Sequence, residues 1–207
     1  MSNQKVWNFW APRYKSLWVQ KVSLKPTRTK VLSIIEKKFK SKNIKSYIDI
    51  GCGVGELICE VESQFKTEKS YGLDYSSSMI DIASKLKLKT QWFCHDIHDF
   101  ETDEKMDLIL CTHSFPYYKD QKYVLSKFSK LLKSDGILLI AFASKNSFYD
   151  ALCMSFVKLT TGKAKYPSVT EFIELASYDL NHLSTTRVKE KWYMPSIYIF
   201  EMEPKND

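Results

Sequence analysis

The 207-residue chain lacks an apolar run that could cross a bilayer: its longest, Ile137 to Ala143, is far short of the ~18 residues a membrane helix requires. It also lacks a Cys-x-x-Cys pair. Its five cysteines are scattered and odd in number, which argues against a disulfide framework or a zinc site and for reduced thiols in a cytoplasm. The first residues, MSNQKVWNFW, have neither the apolar stretch nor the cleavage site of a signal peptide, so export is not expected. Acidic residues are almost missing from positions 1–45, where Glu36 stands alone against twelve Lys or Arg. That segment carries +11 and the remainder −4, making up the total of +7. A basic segment attracts nucleic acid, an anionic membrane surface or an acidic substrate. Here KKFKSKNIK (37–45) reads more simply as a solvated helix and linker, with no known RNA module around it.

What is present describes a globular protein: 44% apolar and 27% charged residues in one domain of ordinary size. Residues 1–45 read as a helical lid and basic linker, and 46–207 as an α/β core. Strands are expected at 47–50, 71–74, 91–94, 106–112 and 137–142. Helices should fill 56–65, a stretch from Ser76, and 121–133, where the Ser-Asp-Gly stop lets Gly136 turn left-handed. A helix at 169–177 and two strands, 185–193 and 196–202, complete the chain. Repeated β-then-α order demands a mainly parallel sheet with helices on both faces. The last two strands are too close for a crossover and must pair antiparallel.

Glycine is scarce, yet three of the six glycines fall at alternate positions in YIDIGCGVGE (47–56). In such a sheet, ligands bind beyond the carboxyl ends of the strands, where this turn lies. The dinucleotide fingerprint G-x-G-x-x-G fails, because its sixth position is Glu56, and the P-loop's Gly-Lys-Ser/Thr is missing. What remains is D-x-G-x-G-x-G. Asp49 would repel a pyrophosphate but suits a cofactor bearing ammonium and sulfonium charges, which points to S-adenosylmethionine. Asp74, 25 residues on, can accept from both ribose hydroxyls. Asp96 can accept from an adenine amino group, the Ile97 amide can donate to the ring, and Met79 can pack on its face.

These segments resemble the class I S-adenosylmethionine-dependent methyltransferases over residues 4 to 143. IDIGCGVGE is similar to the family's cofactor loop, GLDYSSSMIDIA to its ribose-binding strand and helix, and CHDIHDF to its adenine-binding segment. MDLILCTHSFPYYKDQKYVLSKFSKLLKSDGILLIAF is similar to the fourth strand, helix and fifth strand. The resemblance implies a Rossmann-like sheet of seven strands in the order 3-2-1-4-5-7-6, with strand 7 antiparallel. It also implies cofactor contacts at Gly51, Cys52, Gly53, Asp74, Tyr75, Asp96, Ile97 and Cys111.

FWAPRYKSLW resembles the amino-terminal lid of small-molecule methyltransferases. Trp7, Trp10, Tyr14 and Trp18 recur at helical spacing, Tyr14 is the residue expected over the cofactor's methionine end, and a hinge is expected at Ser23 to Lys25. The implied reaction is an in-line displacement in which positioning supplies ~7–11 kcal/mol of the barrier and no metal takes part. His113, just past the fourth strand, is the candidate general base; His95, His98 and His182, the last placed ahead of the sixth strand, have no catalytic role. The acceptor pocket is expected from the lid, residues 144–168 and the hairpin tip 191–196. Phe148, Met154, Phe156, Trp192, Tyr193 and Met194 make that lining apolar and fit a small organic acceptor. The expected activity is transfer of a methyl group from S-adenosylmethionine, released as S-adenosylhomocysteine, to an O, N, C or S atom of that acceptor. An RNA methyltransferase using the basic segment, and a non-catalytic cofactor-binding partner subunit, remain as alternatives.

Overall fold

The computed structural model describes residues 3–40, 43–145, 150, 163–189, 191 and 194–205. Seven strands form one sheet in the order β3-β2-β1-β4-β5-β7-β6. They are β1 (Asn43–Ile50), β2 (Lys66–Asp74), β3 (Gln91–Cys94), β4 (Met106–Thr112), β5 (Leu132–Ala143), β6 (Leu180–Val188) and β7 (Ile197–Pro204). β1 to β5 pair parallel, and β7 lies antiparallel between β5 and β6. The helices are α1 (Asn3–Trp10), α2 (Lys25–Lys38), α3 (Glu56–Gln64), α4 (Ser77–Ala83), α5 (Gln121–Leu131) and α6 (Val169–Ala176).

Strand alternation divides the core in two, because successive side chains leave a strand on opposite faces. Ile48, Ile50, Ile109, Cys111, Ile140 and Phe142 point to the face covered by α5 and α6. Tyr47, Leu108, Leu110, Leu139 and Ala141 point to the face covered by α2 and α3. Burial on both faces explains why β4 and β5 read as unbroken apolar runs. Helix starts are set by their own side chains: Ser76 caps α4, Asp120 caps α5, and Ser168 with Glu171 forms a capping box at α6.

Four local expectations are corrected. Gly136 does not turn left-handed. It lies within β5, which begins at Leu132, and a Cβ there would come within 2.7 Å of the Met106 carbonyl oxygen, so it permits a close strand approach instead. β6 starts at Leu180 and contains His182, because α6 stops at Ala176 and leaves β6 longer at its amino end. Residues 23–25 are no irregular link between elements: a π-turn, Gln20–Leu24, runs into α2 with Leu24 and Lys25 both in right-handed helical conformation. Pro26 fits there because the first turn of a helix has amides without intrahelical acceptors. Finally, the four amino-terminal aromatics do not share one face. A 3-10 turn, Ala11–Ser16, with Pro12 at its start, breaks the period; Trp7 packs edge-on to Tyr117 at 5.1 Å, while Trp18 is 65% exposed.

Candidate functional site

Past β1 the chain turns over Gly51, Gly53 and Gly55, all at positive φ (77°, 54° and 81°). The amides of Gly51 and Cys52 both donate to the Leu73 carbonyl, which ties the loop to β2. A Cβ on Gly51 would sit 2.3 Å from the Ser114 Cβ, so this glycine lets the loop meet the turn after β4. At Gly53 an added Cβ would meet only the Tyr14 ring at 3.9 Å and the Met79 sulfur at 4.0 Å, which is ordinary contact. Packing does not demand a glycine at 53. Its bare backbone lines the cavity under the lid, where a ligand can come close.

Asp74 ends β2 with its carboxylate accepting from the Gly53 amide at 2.9 Å and the Ser76 amide at 2.8 Å. Burial pushes its carboxyl up to about 6, against the lowering effect of those two bonds. Above it, α1 is fastened across the site. The Asn8 side-chain oxygen accepts from the Ser76 hydroxyl at 2.6 Å, and Gln4 donates to the Tyr75 carbonyl at 2.7 Å. Met79 is buried with Ala11 and Val54, and Trp7 and Tyr14 pack against them.

A cavity of about 40 Å³ lies under the lid, lined in part by Tyr14, Arg28, Asp49, Gly53, Thr112 and His113. Asp49 is 1% exposed, and its Oδ1 has no hydrogen-bond partner. Burial, then the neighbouring Asp74, push its carboxyl up to about 8, with Arg28 opposing. His113 is the one described non-glycine residue at positive φ (62°), a conformation concentrated at functional sites. Its amide donates to the Ala141 carbonyl, its Nε2 is buried and unpartnered, and burial pushes its imidazole down to about 4, helped by Arg28. It is therefore neutral at pH 7. Burial also drives the Tyr14 phenol far above its ordinary range, with Glu56 adding to the effect, so Tyr14 stays protonated.

Arg28 is the residue that the motif pattern passed over. It lies on the buried stripe of α2, in line with Leu24, Val31 and Ile35. Its Nε donates to Glu60 at 3.0 Å, and its Nη1 to Glu56 at 3.2 Å and Gln20 at 3.1 Å. Nη2 has no partner among the described residues. A cation on an apolar helical stripe was the only signal available in the sequence.

Among the described residues, five buried side-chain polar atoms lack a hydrogen-bond partner. Four of them, Asp49 Oδ1, Tyr75 OH, His98 Nε2 and His113 Nε2, lie at or just beyond the carboxyl ends of β1, β2, β3 and β4 in turn. Native proteins leave few such groups unpaired, so their gathering at one edge of the sheet marks a place built for a polar ligand. The residues there fit the expected cofactor: a bare backbone at Gly53, acids at Asp49 and Asp74, and a spare guanidinium nitrogen on Arg28.

The other sequence candidates are placed as follows. Tyr14, Asp49, Gly51, Cys52, Gly53 and His113 converge on the cavity, and Asp74 and Met79 lie against the same loop. Asp96 follows β3. Burial would raise its carboxyl, but bonds from the His98 amide (3.0 Å) and ring Nδ1 (2.6 Å) prevail and hold it low. Those bonds engage Oδ1 and leave Oδ2 free. Ile97 is buried in the core cluster on the α5 face. Cys111 does not face the cavity: alternation along β4 turns it to the α5 face, where burial pushes its thiol up to about 12. Thr112 and His113 line the cavity instead. Phe148, Met154, Phe156, Trp192 and Tyr193, expected in the acceptor lining, lie outside the described residues; Met194 is buried.

Residues 48–140 match a family model described as a methyltransferase domain. A curated relative, a malonyl-[acyl-carrier protein] O-methyltransferase of Bacillus anthracis, is 25% identical over 122 residues, 58% of this chain and 45% of its own length. The chain therefore spans less than half of that relative. Among solved structures, magnesium protoporphyrin IX methyltransferase from Synechocystis PCC 6803, with bound S-adenosylhomocysteine, superposes with a TM-score of 0.74, 16% identity and full coverage of both chains. The N-methyltransferase NodS from Bradyrhizobium japonicum, also bound to S-adenosylhomocysteine, gives 0.72 at 16% identity, covering 88% of this chain and 87% of its own. Residues 48–140 thus match the methyltransferase domain family, and the fold that carries them is the one seen in these S-adenosylhomocysteine-bound methyltransferases.

Proposed function

We propose that the protein is an S-adenosylmethionine-dependent methyltransferase acting on a small organic acceptor, with residues 1–207 working as one domain under an amino-terminal lid. The observation that carries this reading is the row of four unpartnered polar atoms beyond four consecutive strands, beside the bare backbone of Gly53. When bound, the cofactor supplies a methyl group on a positively charged sulfur. Gly51, Cys52 and Gly53 form the backbone cradle, and Asp74 serves the ribose hydroxyls. Tyr75, Met79, Asp96 through Oδ2 and Ile97 hold the adenosine, and the backbone at Cys111 contacts the cofactor beside Thr112 and His113. Asp49 supplies negative charge and Arg28 binds a carboxylate; the two oppose each other's charge across the same cavity.

The lid does two things for the chemistry. It excludes water, which strengthens every charge interaction beneath it, and it brings the protonated Tyr14 hydroxyl to the cavity as a donor. His113, neutral and with Nε2 open, takes the proton from an acceptor that must lose one. The names of the relatives, which include an acyl-carrier-protein O-methyltransferase and a porphyrin methyltransferase, support acceptors other than nucleic acid. The free thiols at Cys52, Cys59, Cys94 and Cys111 suit a reducing cytoplasm. The test is incubation with methyl-labelled cofactor and a metabolite extract, followed by identification of the labelled product. A labelled small molecule supports the reading. Absence of S-adenosylmethionine binding by calorimetry, or NAD binding of equal strength, overturns it.

A further inference from the structure

The lid has a second face that the cleft does not use. Trp7 of α1 and Ala11 just past it turn inward, and Gln4 and Asn8 reach Tyr75 and Ser76 ahead of α4. Lys5 and Phe9, one turn apart, point away from the protein, and Phe9 is 60% exposed. Arg13 continues that line, its guanidinium 5.3 Å from the Phe9 ring centroid. Beyond the 3-10 turn, Trp18 is the most exposed large apolar side chain among the described residues, with exposed Lys15 and Lys21 three positions to either side. No Asp or Glu occurs before Glu36. Lys5, Lys15, Lys21 and Lys25 make no ion pair among the described residues.

Exposed Trp and Phe set among unpaired cations are placed against hydration, since water gains nothing from the rings and the cations repel one another. Both penalties vanish at an anionic lipid surface, where aromatic rings sit among headgroups and Lys and Arg meet lipid charge. A single-stranded nucleic acid would be held along a groove with its bases stacked on aromatic rings, whereas this is the outward face of a short helix and turn. We infer that the outer face of the lid docks on an anionic bilayer, with Phe9 and Trp18 entering the headgroup layer and Lys5, Arg13, Lys15 and Lys21 facing lipid phosphates. The contact is peripheral: no described helix is long and apolar enough to span a membrane.

This inference needs no turnover, so its test is separate from that of the methyltransferase reading. The full chain is sedimented with vesicles of phosphatidylcholine alone and of phosphatidylcholine with about 40% phosphatidylglycerol, at low and at high salt. Expected is binding to the anionic vesicles at least roughly tenfold tighter than to the neutral ones, and weakened by salt. The Phe9→Ser/Trp18→Ser variant, whose two side chains lie outside the cofactor cleft, is expected to bind roughly tenfold more weakly while keeping its unfolding midpoint. Lipids brominated along the acyl chain are expected to quench tryptophan fluorescence more strongly in the parent protein than in Trp18→Phe. Equal binding to both vesicle types, no binding to either, or undiminished binding and quenching in the aromatic variants overturns the inference. So does tighter binding to single-stranded RNA at the same salt.

Discussion

Replacing Asp49 with Asn should make the protein more stable and a worse binder, and the size of the effect should depend on pH. The carboxyl is buried at the end of β1, with Oδ1 unpartnered and its folded pKa raised to about 8. In the unfolded chain an Asp titrates near 3.9. Between those values the folded state holds a proton that the unfolded state has lost, so the stability that Asp49 contributes falls as pH rises from ~4 to ~8 and is flat above. At pH 7 the penalty is at most ~4 kcal/mol, from about three pH units above the unfolded value at 1.36 kcal/mol each. An Asn amide left short of partners takes back ~1–3 kcal/mol of the gain. The expected net is therefore a stabilisation of ~1–3 kcal/mol near pH 7–8, or roughly 2–4 °C per kcal/mol in midpoint for a chain of this size. Near pH 4 that advantage should be gone. Urea unfolding at pH 4, 5, 7 and 8.5 without cofactor measures this directly. Calorimetry should also show that S-adenosylmethionine binds the parent more tightly as pH rises from 6 to 8, because its cations favour the ionised acid, and that Asp49→Asn lacks this trend. If Asp49→Asn is less stable than the parent at pH 8, or the stability difference does not grow with pH, Asp49 is not a neutral buried acid waiting for a cation.

Four further outcomes test the rest of the site. Asp74→Ala should lower cofactor affinity by several kcal/mol or less, at ~1.5–3 kcal/mol per charge-assisted bond, while the fold survives; unchanged binding removes Asp74 from the cofactor site. Gly51→Ala should prevent stable folding because its Cβ meets Ser114, whereas Gly53→Ala should fold with only left-handed strain of ~1–2 kcal/mol and lose cofactor binding; equal unfolding midpoints for the two would refute the separation of roles. Tyr14→Ala should lower cofactor binding and turnover at every pH. His113→Ala should reduce the rate only modestly if positioning dominates, and a loss of ~10²–10⁴-fold with disappearance of a pH limb would instead make His113 an obligatory base.

The succession of strands and the position of the glycine turn were legible because both are written in local pattern, whereas the order of the strands in the sheet came from the family resemblance. Ile48, Leu108 and Leu139 announce strands by composition, and the 25-residue step from Asp49 to Asp74 leaves room for one helix. The division of labour among the glycines was not legible. Nothing local distinguishes Gly51 from Gly53, because the difference lies in Ser114, a residue brought up by the turn after β4. Arg28 was hidden for the same reason: its partners Glu56 and Glu60 are on α3, and only the packing of α2 over that helix brings them together. Cys111 was assigned by its position in a segment, and the two-residue period of β4 decides its face. The aromatic stripe of the lid followed a helical period that Pro12 interrupts.

The placement of β7 has a consequence for the protein while it is being made. β7 is the last of the seven strands to leave a ribosome, yet it fills an interior position and supplies Phe200, whose ring stacks on Phe142 at 5.3 Å and meets Phe172 at 4.3 Å. Until Ile197 to Pro204 emerge, β5 has an open, apolar edge and β6 has no neighbour to pair with. A nascent chain held at that stage presents a strand edge of the kind that pairs with other copies, so the hazard of misassembly lasts until β7 has slotted between β5 and β6.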